Sequence, residues 1–201
     1  DTVVSHVAKL NSDGSLDDSF HSTAVNGTVF DILEVEEGLL VGGDFGLAML
    51  NADGSNNEAF MSPELDGAVY AISASPGRRI VIAGGFTTVN GEKQVRVARL
   101  QRDGSVDATF DIGEGPDGDV YAATALHGGK VLLGGLFVTI DGLSARRLAL
   151  VSEDGKLDRS LNAGSGFDGP VRSIEVRADG LLLIGGAFTK YNYQPQNRVA
   201  L

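Results

Sequence analysis

The chain has 201 residues, no cysteine, and 16 Lys and Arg residues against 27 Asp and Glu residues, which gives a net charge of −11. This charge argues against binding to nucleic acid, whose phosphates attract Lys and Arg, and against anionic membrane surfaces. Apolar runs fall short of the roughly 18 residues of a membrane span, so no membrane insertion is predicted. The absence of cysteine excludes disulfides, thiolate zinc sites and cysteine nucleophiles. Because the sequence starts at Asp1 without a signal peptide, we expect a mature product or an excised segment.

Three short motifs recur along the chain and divide it into four units. An Asp-Gly pair, a Gly-Gly pair followed closely by Phe, and a second Asn-Gly or Asp-Gly pair each occur four times. The pairs stand at 13–14, 53–54, 103–104 and 154–155; at 42–43, 84–85, 134–135 and 185–186; and at 26–27, 66–67, 117–118 and 168–169. The common spacing predicts one domain over residues 1–201 that is built from repeats of about 50 residues.

Short apolar runs lie between these motifs. In chain order, each unit has a first run, a second run that ends in the glycine pair, a third run and a fourth run that ends in Phe or Leu. The first runs are 29–33, 69–72, 120–123 and 171–174, the second are 39–41, 80–82, 131–133 and 181–184, and the fourth end at Phe20, Phe60, Phe110 and Leu161. Such runs, bounded by Asp-Gly, Asn-Gly or Gly-Gly, are typical of β-hairpins, and no window has the period of a helix. The sequence therefore predicts an all-β fold, a β-propeller built from four ~50-residue repeats of four short antiparallel strands.

The third run occurs once more often than the other runs. Its copies are 7–10, 47–50, 97–100, 148–150 and 199–201. We therefore expect one of three arrangements. The chain forms a ring in which the fourth strand that ends at Phe20 completes the last unit, or it is a piece of a longer array, or copies join end to end through their terminal strands. The first unit is also shorter, because the stretch that follows Gly43 lacks the loop found after Gly85. That loop is predicted to lie on a rim.

Three segments carry a family resemblance. They read Gly-Gly-Phe-Thr-Thr-Val-Asn-Gly at 84–91, Arg-Val-Ala-Arg-Leu at 96–100 and Asp-Gly-Ser-Val-Asp-Ala-Thr-Phe at 103–110. In these segments the chain resembles the delta-60 repeat family of bacterial β-propellers, and the resemblance covers nearly the whole chain in four copies. It implies a secreted or cell-surface setting and a binding or scaffolding role. The chain departs from the pattern in the short first unit and at Leu161, where Phe is usual.

The Asp-Gly loops admit two interpretations. A second acid or amide follows four positions after each first Asp, at Asp17, Asn57, Asp107 and Asp158. One interpretation is a calcium loop, since a hard cation needs several oxygen ligands on a tight turn. The favoured one is a turn that the second side chain caps, because the loops hold few carboxylates. We therefore predict no metal site.

Catalytic and cofactor sites are not indicated. The glycine pairs lack the Lys-Ser or Lys-Thr of a phosphate loop, and His6, His21 and His127 lie at unrelated positions in the repeats. Charges that occur in only one unit are Asp31, Glu34, Arg172 and Glu175, and alone they define no reaction. The sequence predicts no catalytic residue, no cofactor and no enzymatic activity.

One loop stands out as a candidate contact. Tyr191, Asn192 and Tyr193 occupy the place where other units have Asn-Gly or Asp-Gly, and tyrosine beside amide side chains suits a protein or sugar contact. We predict a structural or protein-interaction module, which binds a protein partner or itself through its terminal strands. The alternative is a glycan-binding, lectin-like propeller of an adhesin, which should repeat an exposed aromatic in several units.

Overall fold

The computed structural model describes residues 6–196 and 198–200, and its described secondary structure is β-strand apart from one 3-10 turn at His127–Gly129. Four antiparallel sheets follow one another along the chain, and each has its strands in the order first, second, third. Sheet one contains β1 (Val29–Val35), β2 (Gly38–Gly43) and β3 (Gly46–Leu50); sheet two contains β4 (Val69–Ser75), β5 (Arg79–Gly84) and β8 (Val97–Leu100); sheet three contains β9 (Val120–Ala125), β10 (Val131–Gly135), β13 (Leu148–Val151) and β14 (Leu157–Asp158); sheet four contains β15 (Val171–Val176), β16 (Leu182–Gly186) and β19 (Val199–Ala200).

Small two-stranded hairpins extend the loop between the second and third strands of sheets two, three and four. They are β6 (Thr88–Val89) with β7 (Glu92–Lys93), β11 (Thr139–Ile140) with β12 (Leu143–Ser144), and β17 (Lys190–Tyr191) with β18 (Gln194–Pro195). In sheet one, two residues after β2 lead directly into β3. The loop that the sequence analysis found missing from the first unit is therefore this hairpin.

The glycine at the end of each second strand is fixed by a close approach of the backbone. A Cβ built on Gly43, Gly84, Gly135 or Gly186 would lie between 1.9 and 2.3 Å from the carbonyl oxygen that precedes the first strand of the same sheet. Each sheet also has a register shift at this point. Only glycine fits such a bulge. The pairing also corrects the alignment of the second unit, where Ala83–Gly84 and not Gly84–Gly85 matches the other glycine pairs.

The predicted fourth strand is reduced in most units. Among the described residues, it forms a ladder only in sheet three, where β14 pairs with β13, and elsewhere it shrinks to the single bridges Leu10–Leu16, Leu50–Asn56 and Leu100–Val106. The pair Val151–Leu157 matches these bridges, so Val151, and not Leu150, is the counterpart of Leu10, Leu50 and Leu100.

The sheets lie in a row, with their first strands side by side. β4 contacts β1 and β9, and β15 contacts β9, whereas β1 and β15 at the two ends share no contact of comparable extent. Within the described residues, the row is therefore open. Apolar clusters fill the spaces between sheets one and two, two and three, and three and four, and a smaller cluster joins Val7 and Val25 to Val41 and Leu50 of sheet one. No helix in the described part of the chain has the length and apolar character needed to cross a bilayer.

Candidate functional site

The predicted contact residues Tyr191, Asn192 and Tyr193 form the turn of the β17–β18 hairpin. Tyr191 packs on Phe167 with ring centroids 4.7 Å apart, at the hairpin position that Val89 and Ile140 hold in the preceding units. Asn192 Oδ1 accepts hydrogen bonds from the backbone N–H groups of Ser165, at 2.6 Å, and Gly166, at 3.2 Å. Both side chains therefore serve the fold.

Tyr193 is the member of this trio that points into solvent. Its side chain is 79% exposed, and its φ of +64° lies in the left-handed region, where Gly91 and Gly142 stand in the other hairpins. A type I′ turn needs positive φ at both central residues, so Tyr193 occupies a position made for glycine. A ligand contact here stays a prediction, and it now rests on Tyr193.

The Asp-Gly loops are closed by their own side chains. Asp13, Asp53 and Asp103 each accept two hydrogen bonds from the serine two residues later, one from its N–H and one from its hydroxyl. These bonds lower the pKa of each carboxyl, with the serine hydroxyl as the largest cause. The turn is thus closed by the first Asp of the loop, which corrects the prediction that the second side chain caps it. Among the described residues, no group of three or more His, Asp or Glu side chains is arranged to hold a metal ion.

Where the second position of the loop holds an acid, this acid meets a cation. Lys9 lies 2.9 Å from Asp17, Arg99 lies 2.7 Å from Asp107, and Lys130 lies 2.6 Å from Asp158. Sheet one has Met49 where sheet two has Arg99, and there the acid is replaced by the amide of Asn57, whose Nδ2 lies 3.6 Å from Met49 Sδ. An acid therefore occurs only where a cation meets it.

The pair Arg99 and Asp107 is the buried member of this series. Both side chains are almost fully enclosed, and Arg99 also donates to the Glu153 carbonyl and the Thr109 hydroxyl while it lies over the Phe110 ring. Burial raises the pKa of Asp107, but hydrogen bonds from Thr109 and Arg99 outweigh burial and lower it to about 2. Every polar group of this cluster is engaged within the protein, so the cluster joins sheets two and three and offers no free anion site.

A third set of acids holds the hairpins in place. Asp66, Asp117 and Asp168 each accept backbone N–H groups from the two residues that begin the hairpin of their own sheet. Thr87 and Thr189 add hydroxyl hydrogen bonds, and these are the largest cause that lowers the pKa of Asp66 and of Asp168 to about 2. The second Asp-Gly motif is thereby explained as a clamp between the first strand and the hairpin.

An aromatic row runs along the first strands. Phe30 and Tyr70 have centroids 5.1 Å apart, Tyr70 and Tyr121 are 5.3 Å apart, and the Arg172 guanidinium lies 4.9 Å from the centroid of Tyr121. The four residues hold the same position in the four sheets, immediately after the first valine of each first strand. This row was not predicted from the sequence, because a repeated aromatic was expected in loops and these residues lie within strands. The rings contact one another in tilted or edge arrangements, so they link neighbouring sheets.

The charges unique to one unit also make contacts between sheets. Asp31 Oδ2 accepts the Ile72 N–H at 2.7 Å, which joins sheet one to sheet two, and Arg172 completes the aromatic row. The structure does not bring the single-unit charges of sheets one and four together into one cluster.

The two ends of the row expose apolar surface. At the start, Ile32 is 47% exposed, whereas its counterparts Ile72 and Ile174 are buried against the preceding sheet. At the other end, Leu183 is 37% exposed and Val199 is 61% exposed, whereas their counterparts are buried in the other sheets. We call these the leading face (Phe30 and Ile32) and the trailing face (Leu181, Leu183 and Val199). Inside the chain, a trailing face meets the next leading face at each junction.

The comparisons with known proteins agree with this architecture. A search of curated proteins finds no match to the chain. A family model described as a domain of unknown function (DUF5122) beta-propeller matches residues 1–20, 78–110, 129–161 and 177–201, which together make up more than half of the chain. Each internal match runs from the turn before a second strand to the end of a fourth strand. The chain therefore belongs to this family of β-propeller repeats of unknown function.

Proposed function

We propose that the chain is a non-enzymatic structural or protein-interaction module, a propeller segment of four repeats that associates through its two end faces. The observation that carries the proposal is the paired exposure of Ile32 and Leu183 at opposite ends of the row. Their counterparts meet across the internal junctions and are buried there. Apolar surface with a ready complement on the same molecule favours association of copies.

The absence of enzymatic activity is part of the proposal. The acids that recur in the repeats are engaged by serine, threonine, lysine or arginine of the same chain. Asp31 and Arg172, which occur in one unit each, connect neighbouring sheets. General acid–base or nucleophilic catalysis needs groups that are free to meet a substrate, and these groups already have partners.

The proposed setting is the outside of a bacterial cell, either secreted or surface-associated. The resemblance to the delta-60 repeats supports it. Detection of the native protein in culture medium and on intact cells, set against a cytoplasmic marker, tests it. Recovery of the protein with the cytoplasmic marker alone would contradict this setting.

The molar mass in solution tests the association. We expect light scattering to give a mass above that of one chain, rising with concentration, for the unaltered protein. Ile32→Asp and Leu183→Asp place a charge on the leading and the trailing face, so each should return the protein to one chain. Leu143→Asp is the matched control, because Leu143 is equally exposed but lies on a hairpin away from both faces. Equal masses for all four proteins would contradict association through the ends.

A further inference from the structure

The internal junctions between sheets follow a rule of matched volume. A Cβ built on Gly42 of sheet one would lie 2.8 Å from Val69 Cγ1 and 3.1 Å from Ile72 Cδ1 of sheet two. A Cβ on Gly134 of sheet three would lie 2.5 Å from Val171 Cγ1 and 2.9 Å from Ile174 Cδ1 of sheet four. In both junctions, a glycine therefore admits a valine and an isoleucine of the following first strand.

The middle junction obeys the same rule with other residues. Sheet two has Ala83 at the glycine position, and sheet three has Ala123 at the isoleucine position. Both alanines are buried in one cluster. A larger residue on the trailing side is thus matched by a smaller one on the leading side. Glycine faces isoleucine in the first and third junctions, and alanine faces alanine in the middle junction.

In sheet four, Gly185 holds the glycine position, but no isoleucine of another described strand packs against it. The nearest atom to a Cβ built there is Ser173 Cβ of its own sheet, at 3.7 Å, and no following first strand fills the space. In sheet one, Ile32 holds the isoleucine position, but no glycine of another described sheet faces it, and its side chain is 47% exposed. By the rule of the internal junctions, Gly185 fits Ile32, and the aromatic row can continue from Arg172 to Phe30.

Residues 6–10, which lie beside sheet one, resemble the third strands of the other sheets. His6 has a φ of +58°, which matches the +64° of Arg96 and the +73° of Arg147 just before the third strands of sheets two and three. Val7 is buried against sheet one, whereas Leu10 is 61% exposed although its counterparts Leu50 and Leu100 are fully buried. Residues 7–10 thus have the features of a third strand, and within the described residues they form no ladder with a second strand.

The third strand of sheet four is β19. Its pairs Ile184–Ala200 and Gly185–Val199 with β16 match Val41–Ala48 and Gly42–Leu47 of sheet one, so β19 keeps the register of the other third strands. The chain contains a second segment of the same type in Val7-Ala8-Lys9-Leu10. Both segments fit the same register beside β16, and the edge of a sheet is a template for a strand that fits its register.

We propose that a second copy of this chain supplies the third strand of sheet four, and this inference rests on the association proposed above. Residues 7–10 of the second copy pair with β16 in the register Leu10–Leu182, Lys9–Leu183, Ala8–Ile184 and Val7–Gly185, and β19 of the first copy leaves that edge. Because Leu10 is bridged to Leu16, the fourth strand of the second copy also joins this sheet. Ile32 of the second copy then fills the space over Gly185, and the trailing face of one copy meets the leading face of the next.

Disulfide trapping tests the register, because the natural chain has no cysteine that could interfere. Chains with Ala8→Cys are mixed with chains with Ile184→Cys and exposed to a mild oxidant. We expect a mixed disulfide between the two, because the corresponding pairs Ala48–Val41 and Ala98–Ile82 lie opposite each other in sheets one and two. Ala8→Cys mixed with Leu183→Cys is the control, displaced by one residue, and should give at least tenfold less.

A glycine substitution provides an independent test of the matched-volume rule. Gly185→Ala should leave the melting temperature of the dilute chain unchanged, since nothing crowds its Cβ, but it should reduce association at least tenfold. Gly134→Ala should lower the melting temperature, because its Cβ meets Val171 and Ile174 within the chain. Gly185→Ala that associates like the unaltered protein would overturn the proposed contact with Ile32.

The outcomes separate this inference from the proposed function. Association that Ile32→Asp abolishes, but without the mixed disulfide, would overturn the strand pairing and leave association through the end faces intact. A single-chain mass for the unaltered protein would contradict both. A chain with both Ala8→Cys and Ile184→Cys that forms its disulfide internally, at the mass of one chain, would show a ring closed on itself and would overturn the role of a second copy.

Discussion

At the scale of single residues, equivalent positions in different repeats hold side chains of different chemistry. Arg99 and Asp107 in sheet two correspond to Met49 and Asn57 in sheet one. The charged pair is desolvated, so its attraction is offset by the cost of burying both groups. The neutral pair fills the same place without this cost. The repeat therefore accepts either pair, and in sheet three, where Leu150 takes the place of Arg99, Lys130 supplies the cation for Asp158.

A double-mutant cycle makes this argument testable. Arg99→Met alone leaves Asp107 buried with only the more distant Arg79, at 3.4 Å, and should cost about 3–5 kcal/mol of the free energy of unfolding. Adding Asp107→Asn reproduces the pair of sheet one and should restore most of that loss. Urea unfolding of the single and double variants measures both. A double variant no more stable than the single one would contradict the equivalence of the two pairs.

Tyr193 is a second residue whose cost can be measured. Its φ of +64° is unfavourable for a side chain with a Cβ, and the equivalent positions hold Gly91 and Gly142. Tyr193→Gly should therefore raise the free energy of unfolding by about 1 kcal/mol. Tyr193→Phe keeps the strain and removes the hydroxyl, so it should unfold like the unaltered protein. If glycine gives no gain, the strain is relieved by contacts of the ring, which would favour a role for this ring in the fold.

At the scale of elements, the acids that clamp the hairpins make the fold sensitive to acid. The pKa values of Asp66 and Asp168 are about 2 in the folded chain, below the value of about 3.9 for a free Asp side chain. A depressed pKa stabilises the fold above the unfolded pKa, and this contribution disappears as the pH falls through the folded pKa. Stability should therefore decrease between about pH 4 and pH 2.

Asp66→Asn identifies the source of this pH dependence. The amide keeps an acceptor oxygen for Thr87 and Thr88 but cannot titrate. We expect the variant to be less stable at pH 7 and to lose less on acidification, as measured by thermal melts across the range. Asp18→Asn is the control, since Asp18 is exposed and outside the clamps. Parallel decreases in the unaltered protein and in Asp66→Asn would show that the clamp does not cause the effect.

The apolar anchor at the end of the fourth strand is the next element to test. Phe110 is buried between sheets two and three, beneath the Arg99 guanidinium. Phe110→Ala should cost about 3–5 kcal/mol, because a cavity remains where the ring stood. His127→Ala, on the exposed turn between β9 and β10, should change stability by less than about 0.5 kcal/mol. Similar melting temperatures for the two variants would contradict the position assigned to Phe110.

The sequence allowed these elements to be predicted to different degrees. The hairpins and the glycine bulge follow from local rules, because Asp-Gly, Asn-Gly and paired glycines restrict the backbone within a few residues. The length of the fourth strand could not be predicted in this way, since a single bridge such as Leu100–Val106 leaves the same sequence pattern as a ladder.

The candidate site was harder to predict than the fold. Tyr191 and Asn192 were chosen because the sequence of this turn differs from that in other units, yet they occupy the same structural positions as Val89 and Asn90. Ile32 and Gly185 were missed because the same residue types stand at most of the equivalent positions. Their significance depends on which sheets have neighbours, and this is a property of the folded chain.

At the scale of the whole molecule, the charge and the end faces act in opposite directions. Two copies with a net charge of −11 repel each other, whereas the leading and trailing faces attract by removing apolar surface from water. Salt screens the repulsion and leaves apolar contacts largely unaffected. Association should therefore strengthen as the ionic strength rises from low to physiological values, in contrast to an interface held by ion pairs. Sedimentation at several salt concentrations measures this.

Thermal stability should also depend on the concentration of the chain. Association that involves only the folded state stabilises that state by mass action, and each tenfold rise in chain concentration above the Kd adds up to about 1.4 kcal/mol. The melting temperature of the unaltered protein should therefore rise with concentration, while that of Ile32→Asp should stay constant. Leu143→Asp should behave like the unaltered protein, because its site lies away from the faces. A melting temperature that is independent of concentration in all three proteins would mean that the faces are covered within one chain, as in a closed ring, or are not covered at all. Hydrogen exchange at the β16 edge would then decide, since only a closed ring protects the amides of that edge in a single chain.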